Sequence, residues 1–292
     1  MKDVSVIIVN YNTSALIKDL LNSLYTKTEG ISYEVIVVDN NPTEQFTIDL
    51  KDYLDKIIYI PLEENVGFGR ANNEGVKVAK GRNIFFLNPD TLLVNNAIKI
   101  LSNYLDANKE VGVCGGNLYD ANGAPTHSYQ MTFPSITWEL NLFFGKCWWY
   151  RLVYGKSYTF NYTSKNREVA YITGADMMVK RHVLEEVGAF NPAFFMYYEE
   201  TELSYRIHKN GYKIVNIPEV KITHLEGKSI STNFSKQQML LTSRKTYYTL
   251  TVGKKIIDDA ICKFTFWTRL VVSTLKGRKE EVTYWKNSIK LV

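Results

Sequence analysis

Hydrophobic and polar positions in the first hundred residues alternate between two rhythms. Val4 to Val9 (VSVIIV) is an unbroken, mostly β-branched run, the pattern of a strand buried on both faces. After the polar break Asn10-Tyr11-Asn12, apolar residues return at Leu16, Ile17, Leu20, Leu21 and Leu24, the spacing of one helical face. The rhythms then repeat. YEVIVVD predicts a second strand ending at Asp39-Asn40-Asn41, KIIYIP a third near Ile57 to Ile60, VGFGRANNEGVKVAKG a turn and helix stopped by Gly81, and NIFFLN a fourth strand. Such alternation predicts an α/β fold built on a doubly wound, mostly parallel sheet.

Beyond Gly112 the pattern is mixed. VGVCGGNLYDANG predicts a strand and a turn, whereas Phe133 to Tyr162 is aromatic-rich and keeps no single period. VAYITGADMMVKRHVLEEVGAF predicts a strand, a bend at Gly174, a short strand and a helix from about Lys180 to Val187. MYYEETELSYRIHKNGYKIVNIP predicts a helix closed by Gly211, then a strand ending before Pro218. The sheet region is expected to close near residue 233, giving a domain of residues 1–233 and a helical tail of residues 234–292. In the tail Ile257, Ala260, Ile261, Phe264, Val271 and Leu275 keep helical spacing.

Composition narrows the class. A chain of 292 residues holds ample apolar material for a core. Cys114, Cys147 and Cys262 are odd in number and far apart, which fits neither a disulfide framework nor a metal cluster and favours a reducing compartment. The cytoplasm is the expected location. The opening MKDVSVIIVNYN is too short an apolar run for a secretory leader, and no stretch reaches the roughly 18 apolar residues of a membrane span. The net charge of +5 is unevenly spread: residues 234–292 carry 12 Lys+Arg against 4 Asp+Glu, so the tail is basic and the remainder slightly acidic. With Phe264, Phe266, Trp267, Tyr284 and Trp285 among those cations, the tail suits an anionic membrane surface better than nucleic acid. A solvated helix that packs by one face, or a dimer contact, would give the same pattern.

In parallel sheets ligands bind outside the carboxyl ends of the strands, and Asn10-Tyr11-Asn12, Asp39-Asn40-Asn41 and Asn88-Pro89-Asp90 all fall there. Pro89 ends the strand and orients Asp90, which either caps a helix starting between Thr91 and Asn95 or faces a ligand. Glu199, Glu200 and Glu202 crowd three carboxylates into four positions; Glu199 and Glu202 share a helical face and Glu200 projects about 100° away. Arg206 is placed to pair with one of them, and a carboxylate beside Phe194-Phe195-Met196 would have the raised pKa of a general base. His224 follows a strand-like VKITH; with no His-x-x-x-His pair in the chain, histidine-built zinc is not indicated, while one His with one Asp and a diphosphate suits Mg²⁺ or Mn²⁺. GFGRANNEG lacks the third glycine of a dinucleotide fingerprint, Asn72 standing in its place.

Taken in order, VSVIIVNYN, EVIVVDNN, NVGFGRANNEG, FFLNPD, GADMMVKR, GAFNPAFFMYYEETELSYR and HLEGKS resemble the family 2 inverting glycosyltransferases of GT-A fold, nearest their bacterial rhamnosyltransferase-like branch, over about residues 3 to 230. The resemblance implies a sheet with a nucleotide-binding half and an acceptor half. It implies a nucleotide-diphosphate sugar donor, dTDP-rhamnose being the candidate, with its base near Tyr11 and Asp39. Asn65, Gly67 and Arg70 would shape the donor side. The family's Asp-x-Asp is matched by Asn88-Pro89-Asp90, so Asp90 would contact Mg²⁺ or Mn²⁺, His224 would be the second ligand, and Asn88 would reach the ribose or a metal-bound water. Glu200 stands at the base position, one methylene longer than the family's aspartate, with Glu199 as the fallback. The acceptor would be a hydroxyl of a saccharide or lipid-linked saccharide in cell-surface polysaccharide synthesis, reached at the inner face of the cytoplasmic membrane if the tail binds lipid. Trp138 to Tyr162 would serve as lid or acceptor platform, or as core. Two rivals stand beside this reading: an inert module that binds nucleotide-sugar, and a sugar nucleotidyltransferase, against which the lack of a Gly-rich, Arg-bearing first loop counts.

Overall fold

Strand β1 (Lys2–Asn10) leads into α1 (Ser14–Lys27), β2 (Tyr33–Asp39), α2 (Glu44–Asp49), β3 (Ile58–Pro61), α3 (Phe68–Val78) and β4 (Gly81–Leu87). In this computed structural model, which describes residues 2–135, 137–138, 152–225, 233–253 and 255–291, these four strands pair in parallel in the order β3-β2-β1-β4. The doubly wound half predicted from the rhythms is therefore present. Its strands are apolar throughout because both faces are covered. Val4, Val6, Ile8, Phe85 and Leu87 pack on one face with Ile17, Leu20, Leu21 and Leu24 of α1, while Ile7, Val9, Ile84 and Phe86 pack on the other with Ala71 of α3.

The second half comprises β5 (Thr91–Leu93), α4 (Ala97–Ala107), β6 (Val111–Tyr119), β7 (Tyr129–Gln130), β8 (Arg167–Glu168), β9 (Tyr171–Ile172), β10 (Asp176–Lys180), α5 (Arg181–Val187), α6 (Glu199–Lys209) and β11 (Lys213–His224). The sheet continues from β4 as β10-β6-β11-β5, with β8 added to β11. β10 runs antiparallel to β4 and β6, β5 and β8 run antiparallel to β11, and β6 and β11 are parallel. Strands β7 and β9 form a separate antiparallel pair.

Three expected boundaries differ. Helix α3 ends at Val78, and Gly81 opens β4, because its N–H is taken by Ser5 Oγ (2.8 Å) on the neighbouring strand. Thr91 to Leu93 forms a strand instead of a helix start: Thr91 and Leu93 are buried and pair with the free edge of β11, and α4 begins only at Ala97. Strand β11 does not stop before Pro218 but runs to His224, its register against β6 shifting between Asn216 and Lys221, which admits a residue with no N–H to give.

Helices α7 (Asn233–Thr251), α8 (Lys255–Leu275) and α9 (Lys279–Leu291) follow. α7 packs on the domain: Tyr247 and Tyr248 are buried with Phe194, and Tyr198 and Tyr205 lie against them. α8 and α9 form an antiparallel hairpin, with the Phe266 and Trp285 rings 5.6 Å apart near one end and Ser273 bonding Glu281 (2.7 Å) near the other. Among the described residues no helix is long and apolar enough to cross a membrane.

Candidate active site

The parallel register puts Asn10 directly beside Asp39 at the carboxyl ends of β1 and β2. Asn10 Nδ2 donates to Asp39 Oδ1 at 2.7 Å, the Asn41 N–H donates to the same oxygen at 3.1 Å, and the Tyr59 hydroxyl donates to Asp39 Oδ2 at 2.9 Å. Asp39 is fully buried and both its oxygens are engaged, so it ties three strand ends together. Tyr11, one residue past Asn10, is 43% exposed on the rim above it. Sequence reasoning missed Tyr59; a tyrosine in a short strand carries no signal until its register against Asp39 is known.

The turn into α3 is pinned from two sides. Asn40 Nδ2 donates to Gly67 O (3.3 Å), Asn40 Oδ1 accepts the Val66 N–H (3.3 Å), and Asn65 Oδ1 accepts the Gly67 N–H (3.0 Å). From the other side the Phe68 N–H donates to Phe195 O at 2.9 Å. Arg70 is exposed on the first turn of α3, and its Nε and Nη2 donate to Pro192 O at 2.9 and 2.6 Å. Its guanidinium therefore clamps the segment that leads to the glutamates. Asn65, Gly67 and Arg70 are thus brought together with the loop 192–195, a juxtaposition that spacing alone does not reveal.

At the end of β4 the Asn88 N–H donates to Ala175 O (3.0 Å), and Asn88 O accepts from Thr91 Oγ1 (2.7 Å). Asp90 does not cap a helix, since α4 is preceded by Asn96. It is buried instead, with its Oδ1 3.3 Å from His224 Nε2 and its carbonyl accepting the Leu225 N–H at 2.9 Å. The pairing of β5 with β11, His224 opposite Thr91, is what carries this imidazole across to Asp90. Asn88 Oδ1 is buried without a hydrogen-bond partner, a polar atom that asks for a ligand. A carboxylate, an amide oxygen and one imidazole form a hard donor set that suits Mg²⁺ or Mn²⁺ when substrate oxygens complete the shell. Among the described residues no three His, Cys, Asp or Glu side chains cluster for a metal.

The three glutamates have three environments. Glu202 is buried and paired with Arg206, which donates through Nε (2.8 Å) and Nη2 (2.9 Å); the same guanidinium donates to the carbonyls of Val187, Gly188 and Ala189. Glu199 is buried against Gly69 of α3, with Oε2 lacking a donor; burial raises its pKa well above the carboxylate range, and the charge of Glu200 adds to this. Glu200 is half-buried and accepts from Thr201 Oγ1 (3.2 Å) and from the N–H groups of Glu200 and Thr201, yet burial raises its pKa too. A methyl group placed on Gly174 would lie 3.8 Å from Glu200 Cβ and Cγ and from Phe68 Cε1. Because the next residue, Ala175, accepts from Asn88, the Asp90 loop and Glu200 flank one short segment, residues 174–175.

Two features of this corner have no signature in the sequence. Tyr197 and Tyr198 both take left-handed conformations (φ 72° and 68°), uncommon for bulky residues and costly unless packing enforces them. That packing comes from α7: Tyr198 lies against Tyr247, and Ser243 Oγ donates to Met196 O at 2.7 Å. Tyr171 is buried near Glu200, and its hydroxyl pKa is raised by burial first and by that charge second. Asp176 of the GADMM segment is buried in the sheet, where Oδ2 accepts the Gly116 N–H at 2.6 Å and burial strongly favours the protonated form. Of the aromatic segment, residues 139–151 lie outside the described residues; at its edges Trp138 Nε1 donates to Tyr158 Oη (3.1 Å). Residues 226–229, the remainder of HLEGKS, also lie outside them.

Residues 5–188 match the model of the family described as Glycosyl transferase family 2. The chain is 26% identical over 230 residues to the low-salt glycan biosynthesis hexosyltransferase Agl10 of Haloferax volcanii, covering 77% of this chain and 67% of that protein. It is 24% identical over 255 residues to the N-acetylglucosaminyl-diphospho-decaprenol L-rhamnosyltransferase of Mycobacterium tuberculosis, covering 83% and 82%. The O-antigen biosynthesis protein RfbC of Myxococcus xanthus is 26% identical, but the chain spans only 17% of its length. Among solved structures the fold is shared with mannosyltransferase PcManGT of Pyrobaculum calidifontis in complex with GDP-Man and Mn²⁺ (TM-score 0.62, 15% identity, all of this chain and 87% of that one). It is also shared with GalNAc-T7 with UDP, GalNAc and Mn²⁺ (TM-score 0.60, 16% identity, 85% of this chain and 50% of that one).

Proposed function

Because the chain belongs to glycosyl transferase family 2 and has the GT-A fold, we propose that it transfers a sugar, with inversion, from a nucleotide-diphosphate donor to a hydroxyl of a saccharide or lipid-linked saccharide in cell-surface glycan synthesis. The observation that supports the reading is the pairing of Asp90 with His224 on the loop whose Asn88 bonds Ala175, the residue after Gly174, which faces Glu200. Residues 1–233 carry the chemistry and residues 234–292 form the tail. The likeness to the mycobacterial rhamnosyltransferase, which spans most of both chains, supports dTDP-rhamnose as donor.

Tyr11 offers its exposed ring to the nucleotide base, over the network that Asp39 holds rigid. The α3 turn at Asn65 to Gly67 borders the donor, and Arg70 keeps that turn docked to the glutamate loop. Asp90, His224 and Asn88 Oδ1 would hold Mg²⁺ or Mn²⁺, which when bound offsets charge on the diphosphate leaving group. Glu200 accepts the proton of the acceptor hydroxyl as its oxygen bonds the anomeric carbon from the face opposite the diphosphate. Its pKa, raised by burial, makes it a stronger base than a solvated carboxylate. The acceptor side is where the tail brings the site to the cytoplasmic face of a membrane.

The test is nucleoside diphosphate release from a panel of nucleotide-sugars with an acceptor saccharide and Mg²⁺ or Mn²⁺, wild type against Glu200→Gln. The variant is expected to lose at least about 100-fold in kcat, the scale of general-base removal, while donor affinity stays within about twofold. Full turnover by Glu200→Gln would remove Glu200 from the base role. A wild-type blank across the panel would favour the inert module.

A further inference from the structure

The face of α8 turned away from α9 carries none of the residues assigned to the donor, the metal or the base. Phe264, Trp267 and Leu275 are 55%, 57% and 83% exposed, and Val271 is exposed with them. At 100° per residue these four positions fall within about 80° of arc and extend about 16 Å along the helix. The opposite side is the packed one: Phe266 and Arg269 lie on the Trp285 ring, and Ser273 is buried and bonded to Glu281. The hairpin thus packs one side of α8, while the other side is apolar and exposed, most of all at Trp267 and Leu275.

Charge decides what such a stripe would meet. Residues 260–279 contain Lys263, Arg269, Lys276, Arg278 and Lys279 and no Asp or Glu. Arg278 is paired with Glu281 (2.9 Å), but residues 234–292 as a whole carry 12 Lys+Arg against 4 Asp+Glu, so a second copy would bring a like-charged tail to the contact, which disfavours that pairing. We propose that this face of α8 is a docking surface for an anionic lipid bilayer, with Phe264, Trp267, Val271 and Leu275 entering the headgroup–acyl boundary and the flanking cations resting on lipid phosphates. An amphipathic helix with aromatic residues on one face and cations beside it binds lipid in this way, by buried apolar area together with headgroup attraction. Through α7, whose Ser243 holds Met196 O, the docked hairpin is tied to the loop that presents Glu200. The inference does not depend on turnover, because its readout is binding.

The experiment is co-sedimentation of the full chain with phosphatidylcholine vesicles, with and without about one-third phosphatidylglycerol, following tryptophan emission in parallel. The wild type is expected to bind the anionic vesicles at least about tenfold better than neutral ones, with weakening in high salt. Phe264→Ser/Trp267→Ser should lose that binding by at least about tenfold, and it is a surface change whose fold is checked by its melting curve. Lys263→Glu/Lys279→Glu should lose it too, leaving the apolar stripe and the Arg278–Glu281 pair in place. Absence of wild-type binding to either vesicle, equal binding to both, or unaltered binding by Phe264→Ser/Trp267→Ser overturns the proposal. Sedimentation of the vesicle-free chain as a dimer that Phe264→Ser/Trp267→Ser dissolves, with no vesicle binding, assigns the face to a second copy.

Discussion

Gly67 joins the donor side of the site to the base side, and replacing it with alanine isolates that junction. The residue has φ 87° and ψ 171°, a backbone region almost restricted to glycine that costs another residue about 1–3 kcal/mol. An added Cβ would also stand 2.2 Å from Phe195 O and 2.9 Å from Phe195 Cδ2, and relieving such a clash adds about 1–3 kcal/mol. Moving Phe195 away weakens the bond from Phe68 N–H to Phe195 O, about 1 kcal/mol more. Gly67→Ala should therefore lower unfolding stability by about 3–7 kcal/mol, a large share of a domain's total. Gly123 supplies the control: its φ is 78° and nothing lies within 4 Å of an added Cβ, so Gly123→Ala carries only the backbone cost of about 1–2 kcal/mol. Urea unfolding of the two variants beside wild type measures the difference. Equal midpoints for Gly67→Ala and Gly123→Ala would refute the claim that the α3 turn and the Phe195 loop are locked together.

Two other outcomes follow from the carboxylates. Glu199 has a pKa raised above its ordinary 4.5 in the folded chain, so on raising pH the unfolded state ionises first. The stability present below that value is then lost as pH climbs through the folded pKa, by up to about 1.4 kcal/mol per pH unit. Glu199→Gln should flatten the neutral-to-acid stability profile by that slope, and a profile parallel to wild type would show that Glu199 is not held protonated. Asp90→Ala should abolish the dependence of donor affinity on Mg²⁺ or Mn²⁺, measured by calorimetry with and without chelator, while leaving metal-free donor binding unchanged within about twofold. Metal-dependent donor binding that survives in this variant would remove Asp90 from the ligand set.

The sequence by itself determined the parallel half of the sheet, because a strand covered on both faces must be apolar at every position and a helix must repeat its apolar residues every third or fourth. It also determined that Asn10, Asp39 and Asn88 to Asp90 stand at strand ends, since each polar break follows such a run directly. The likeness of ordered motifs carried the family. Tertiary structure alone decided which carboxylate is which. Three glutamates look alike in EETE, yet Arg206 takes Glu202, Glu199 is buried against Gly69, and Gly174 leaves room beside Glu200. It likewise decided that Thr91 to Leu93 is a strand, which depends on the edge of β11, more than a hundred residues away, being free to pair. Local pattern reports which faces must be buried, and that is a property of each segment. Which partner buries them depends on contacts between segments far apart in the chain, and these contacts give one acid a cation and another a proton.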